Sequence, residues 1–243
     1  MVVDPNNKNK KLEIRRLGRT EYQVTCLGLG AYRLTIDFGI PREQSLSLLH
    51  CAVTLGINYM DTAPQYGAGE SEELIGRVLQ EHPNQQVHIS SKVGHLGETI
   101  VRSFGPDAYQ NEDCIRRVIE HSLWLLQKDH LEMVFVHEPE MKIWGWDEET
   151  LDAPVLRTLE KLKDEGTIGA IGLGSNTVEF PSKLAETGCI TRRSQFAFAS
   201  TALHSVQNPL PAERTRSTSA SPPSRTCRRN SMPRSRSPLC VLP

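Results

Sequence analysis

Long apolar runs are missing from this chain, and so are patterned cysteines. Nowhere do about 18 consecutive apolar residues occur, the minimum that a membrane-crossing helix needs, and the amino terminus MVVDPNNKNKKLEIRR has no apolar core of the kind a secretory signal carries. Six cysteines, Cys26, Cys51, Cys114, Cys189, Cys227 and Cys240, are scattered without a C-x-x-C pair or a neighbouring histidine cluster. That spacing excludes the usual structural zinc sites and implies reduced thiols. A soluble, cytoplasmic protein without a bound metal is the expectation. Aromatic residues make up only 6% and the hydrophobic share is a modest 38%, so some segment dilutes the average.

The diluting segment lies at the carboxyl end. Residues 191–243 contain nine arginines, no lysine and one acid, Glu213, in a background of Ser, Pro and Thr, giving +8. Residues 1–190 carry 19 basic and 28 acidic side chains, giving −9, and the overall charge of −1 hides this split. A folded domain over 1–190 followed by a disordered tail over 191–243 is therefore expected. The tail has two readings: a basic segment that touches RNA or is phosphorylated, or a chain end produced by a shifted reading frame. The second is preferred, because arginines without base-stacking aromatics point away from nucleic-acid recognition.

Between Val24 and Ile190, short apolar runs alternate with amphipathic stretches, the pattern of repeated βα units. Strands are expected at 24–30, 57–63, 87–94, 131–138 and 167–175. Helices are expected at 41–56, 69–82, 111–128, 152–166 and roughly 178–186, the second with Ser71 as its cap and Glu72 and Glu73 near its positive end. In the third, Ile115, Val118, Ile119, Leu123 and Leu126 share one face. Gly28–Gly30 begin a G-x-G, but Arg33 stands where a dinucleotide fingerprint needs its third glycine, so this segment reads as a tight turn. Five strands and five helices in this order begin either a barrel or a doubly wound sheet, and periodicity does not choose between them.

Polar residues at strand ends carry the chemistry. Asp61 ends the second strand, Tyr66 lies five residues on, Lys92 ends the third strand and His137 the fourth. A lysine closing an apolar strand needs a carboxylate partner, which Asp61 can supply. An ammonium near a phenol lowers the phenol's pKa and suits Tyr66 to acid–base work, while His137 can orient a substrate carbonyl. Each residue alone has a plainer reading: Asp61 a loop cap, Tyr66 a turn aromatic, Lys92 a surface lysine snorkelling outward, His137 a satisfied structural histidine. Their joint placement on consecutive strand ends is what favours a site.

The stretches GINYMDTAPQYGAGESEELIGRVL (56–79), SSKVG (90–94), LEMVFVHEPE (131–140) and LKDEGTIGAIGLGSN (162–176), in this order and at these separations, resemble the aldo-keto reductase superfamily. The resemblance implies an incomplete α/β (β/α)8 TIM barrel of about five to six βα units. It also implies a catalytic tetrad of Asp61, Tyr66, Lys92 and His137, and hydride transfer with NADP or NAD. Ser175 and Asn176 match the pair that holds the nicotinamide carboxamide, with Asp61 beside it; a helix N-cap before Thr177 is the equally weighted plain reading. The wording DTAPQYGAGESE and VHEPE is similar to the sugar-oxidising branch, which implies a small aldehyde, ketone or sugar substrate and a lactol-to-lactone direction. Past Ile190 the later strands of the family and its adenosine-phosphate loop cannot be read. An unclosed barrel that binds cofactor weakly or not at all is the resulting expectation. An inactive truncated isoform, or a non-catalytic cofactor-binding relative, is the alternative function.

Overall fold

In a sheet covered on both faces, strands read as near-continuous apolar runs, and side-chain alternation decides which residues meet which layer. The computed structural model describes residues 12–147, 149–150 and 152–186 and the backbone of 198–200. Its main sheet has six parallel strands: β3 (Leu29–Gly30), β4 (Tyr59–Asp61), β5 (His88–Val93), β6 (Leu131–His137), β7 (Ile168–Ser175) and β8 (Phe198–Ser200). Their spatial order equals their chain order, β3-β4-β5-β6-β7-β8. A doubly wound sheet would reverse its order at a switch point, and none occurs, so the fold is an incomplete (β/α)8 barrel. Among the described residues the sheet does not close on itself.

The connections carry α1 (Arg42–Thr54), α2 (Glu70–Glu81), α3 (Glu98–Phe104), α4 (Glu112–Leu126), α5 (Pro154–Asp164) and α6 (Glu179–Glu186). The five expected helices lie within a few residues of these bounds; α3 is an addition. Asn111 caps α4 by accepting the Cys114 N–H at 2.9 Å. The outer core joins Leu49, Ile75, Ile115, Ile119, Leu159 and Ile171, all 0–1% exposed, between helices and sheet. Each such side chain contributes about 1.5–3 kcal/mol by leaving water. On the other face of the sheet Met133, Phe135 and Ala170 form a smaller cluster that Leu17 and Tyr22 cover.

Three sequence expectations change. The segment 24–30 is not one strand: Gln23–Thr25 (β2) pairs antiparallel with Ile14–Arg16 (β1) in a hairpin, and Leu29–Gly30 begins the barrel sheet. The same observation removes the tight turn assigned to the G-x-G, whose Leu29 and Gly30 pair in register with Met60 and Asp61. Ser71 does not cap α2, which starts from Gly69 in a left-handed conformation; Ser71 lies inside the first turn, buried, with its hydroxyl 2.8 Å from that of Thr62. A sixth parallel strand, β8, agrees with the expected five to six units, with Phe198, Ala199 and Ser200 paired to Leu173, Gly174 and Ser175. The remainder of 191–243 lies outside the described residues.

Candidate functional site

Strand parity brings three of the strand-end residues to one face. Tyr59 and Asp61 on β4, Ser90 and Lys92 on β5, and Met133, Phe135 and His137 on β6 share an orientation, while Met60, Ile89, Val134 and Val136 between them pack in the outer core. Lys92 is level with Phe135, two residues beyond the Asp61–Ser90 pairing, so its side chain reaches back across the sheet.

The Lys92 ammonium is 1% exposed and donates to Asp61 Oδ2 at 2.6 Å and to the Thr62 carbonyl at 2.7 Å. Ser90 donates to the other Asp61 oxygen at 2.6 Å, and Tyr59 in turn donates to Ser90 at 2.9 Å. These contacts hold one carboxylate rotamer and direct a full negative charge at the lysine. Lys92 Nζ also lies 4.6 Å from the centroid of the Tyr66 ring, and that ring meets His137 edge-on at 6.3 Å. Tyr66 itself opens a left-handed turn in which Gly67, Ala68 and Gly69 all have positive φ, and only 4% of it is exposed.

Burial shapes the protonation states. Desolvation raises the Tyr66 pKa above the ordinary value of 10, and the nearby Lys92 charge opposes this without overcoming it. The sequence argument that the ammonium would make the phenol more acidic is correct in the sign of that one contribution, but burial prevails, so Tyr66 stands as a protonated phenol at neutral pH. His137 is pushed down from 6.5 to about 3, first by desolvation and then by the charges of Lys92 and His95. It is a neutral imidazole whose buried Nδ1 has no hydrogen-bond partner among the described residues.

Ser175 and Asn176 lie where β7 ends, beside His137, which pairs with Gly174. Neither caps a helix, since α6 starts at Glu179; the Ser175 hydroxyl instead accepts the Thr177 N–H at 3.1 Å within a local turn. The Asn176 amide donates to Glu138 at 2.7 Å, and Ser175 lies 2.8 Å from Glu140. A serine hydroxyl and an asparagine amide together match the donor and acceptor set of a carboxamide, so these residues fit a nicotinamide.

Sequence reasoning missed a second layer. His95 packs edge-on against His137 with ring centroids 4.6 Å apart, and its Nε2 lies 3.1 Å from Glu138 Oε2. Both His95 and Glu138 hold positive φ, 49° and 51°, a costly backbone state for these residues that recurs at functional sites. Next to His95 in the chain, Gly94, φ 137°, leaves room for His137: a Cβ there would stand 2.9 Å from that of His137. The acidic VHEPE wording was the available signal for Glu138; nothing local marked His95.

The sequence profile of the aldo/keto reductase family matches residues 26–207. The chain belongs to the aldo/keto reductase family. It is 31% identical over 169 residues to L-galactose dehydrogenase of Arabidopsis thaliana, covering 67% of this chain and 48% of that protein. It is likewise 31% identical over 169 residues to D-threo-aldose 1-dehydrogenase of a Pseudomonas species, covering 63% and 50%. Both belong to the sugar-oxidising branch that the motifs resemble. The chain spans about half the length of these curated relatives. An aldo/keto reductase of Klebsiella pneumoniae, solved with NADP and acetate, superposes with a TM-score of 0.53 at 25% identity over 72% of this chain and 53% of that one. Among the described residues of this aldo/keto reductase, no cluster could hold a metal ion and no helix is long and apolar enough to cross a membrane.

Proposed function

We propose that this protein is a nicotinamide-dependent oxidoreductase acting on a small carbonyl compound or sugar, with Tyr66 as the proton-transfer residue. The observation that carries the reading is the buried Lys92, tied to Asp61 at 2.6 Å and placed 4.6 Å from the Tyr66 ring. When bound, the nicotinamide supplies hydride to a carbonyl carbon or accepts it from an alcohol carbon; Ser175 and Asn176 would hold its carboxamide.

The chain's own residues handle the proton. In reduction the Tyr66 phenol donates its proton to the substrate oxygen. In oxidation the phenolate accepts that proton, and Lys92 stabilises the phenolate while Asp61 keeps the lysine charged and in place. Neutral His137 donates a hydrogen bond through its N–H and aligns the substrate oxygen. A raised Tyr66 pKa favours the acid form, so the oxidation rate should climb with pH well past neutrality while reduction falls off only in strong alkali.

A sugar substrate, oxidised at its anomeric carbon from lactol to lactone, is supported by the L-galactose and D-threo-aldose dehydrogenase relatives. The hydrogen-bonding rim of His95, Glu138 and Glu140 supports it too, since apolar walls would not satisfy sugar hydroxyls. The test is an assay of the full chain with aldoses and NAD⁺ or NADP⁺, followed by nicotinamide absorbance. Tyr66→Phe should lower kcat by about 10²–10⁴-fold with an unchanged melting profile. Equal turnover by the two proteins, or none by either, would overturn the reading.

A further inference from the structure

A cavity lies outside the sheet, in the helical layer between α3 and α4. Its volume is about 390 Å³, which falls within the size range of small-molecule sites at roughly 300–1,000 Å³. Cys114 and Val118 on α4 form its floor, 0% and 5% exposed, and half-buried Phe104 from α3 forms a wall. Pro64 also lines it and stands in the chain between Thr62, which binds Lys92, and Tyr66.

Two basic side chains line its open side. Arg117 and His121, one helical turn apart on α4, are exposed at the mouth. The Arg117 guanidinium sits 5.3 Å from the centroid of the Phe104 ring, and no carboxylate pairs with it among the described residues. This contrasts with its neighbour Arg116, which Glu112 and Glu165 both engage. His121 stacks on exposed Trp124 with centroids 5.7 Å apart.

We propose that this cavity is a ligand site for a small organic monocarboxylate with an aryl or alkyl body. The apolar floor excludes a fully hydrated inorganic anion, which would lose its water there without replacement hydrogen bonds. The guanidinium, placed over an aromatic ring, presents the paired donors that a carboxylate accepts, and the body of such an acid replaces water over Cys114 and Val118. The inference does not depend on the catalytic reading, since none of these residues belongs to the tetrad.

The experiment titrates the full chain with 4-phenylbutyrate and with its neutral primary amide, by calorimetry and by tryptophan emission. The acid should bind about tenfold or more tightly than the amide, because only the acid completes a charge-assisted pair with Arg117. Arg117→Gln changes an exposed residue and should abolish that preference while leaving the melting temperature unchanged. Cys114→Met fills the floor and should weaken both compounds; if it fails to fold, the Arg117 comparison decides alone. Equal binding of acid and amide, a preference that persists in Arg117→Gln, or no binding at millimolar concentration would each overturn the proposal.

Discussion

At the scale of the residue, Lys92 is the most demanding feature of the molecule. An ammonium that is 1% exposed is tolerable only because Asp61 and the Thr62 carbonyl accept its hydrogen bonds. Removing one partner leaves an uncompensated charge, so Asp61→Asn should destabilise the fold by about 3–5 kcal/mol in urea denaturation. Adding Lys92→Met to that variant should recover a large part of the loss; simple additivity of the two changes would show that the pair is not coupled. His137 makes a separate, pH-dependent contribution. Its pKa in the folded state lies near 3 against 6.5 when exposed, so the unfolded chain binds more protons throughout that interval. Stability should therefore be constant on this account above pH 6.5 and decline below it, by about 1.4 kcal/mol at one unit lower. His137→Gln should remove that part of the slope, and an unchanged pH dependence of the denaturation midpoint would contradict the assignment.

At the scale of the element, the helix packing turns on a glycine that nothing in the local sequence marked. A Cβ on Gly76 in α2 would collide with the Leu125 carbonyl oxygen and come within 2.8 Å of the Leu126 carbonyl carbon at the end of α4. Backbone cannot step aside as a flexible side chain can, so Gly76→Ala should cost about 1–3 kcal/mol despite alanine's better helix propensity. A thermal melt at or above that of the parent protein would show that α2 and α4 can separate at small cost. In the same helix, Glu72 lies in the positive first turn, as expected. It is fully buried there, accepting a hydrogen bond from Ser91 at 2.6 Å, and burial raises its pKa. Helical periodicity placed α2 to within a residue, yet could not say which of three acids in its first turn faces the sheet. Arg42 took Glu73, the Ile36 N–H took Glu70, and the sheet was left with Glu72.

At the scale of the whole molecule, the described core is uneven. Strand β6 is paired over most of its length on both sides, whereas β3 contributes two residue pairs to β4 and the β1–β2 hairpin forms a sheet of its own. Local opening costs least where few buried contacts and few ladder bonds must break. Hydrogen exchange followed by mass spectrometry should show the amides of β5, β6 and β7 exchanging last, with β1–β3 exchanging orders of magnitude sooner; uniform protection would exclude this gradient.

The sequence alone determined the alternation of strands and helices, the family, and the residue types that a hydride-transfer site requires, because periodicity and motif spacing are local properties of the chain. Periodicity could not choose between a barrel and a doubly wound sheet, since strand order is set by which edges find one another in space; the motif resemblance implied the barrel, and the observed strand order agrees. Nor could the sequence reveal that burial outweighs the lysine's pull on Tyr66, that His95 and Glu138 meet beside His137, or that Glu72 turns inward. Those outcomes depend on desolvation and on contacts between segments distant along the chain, and only the packed tertiary structure sets either.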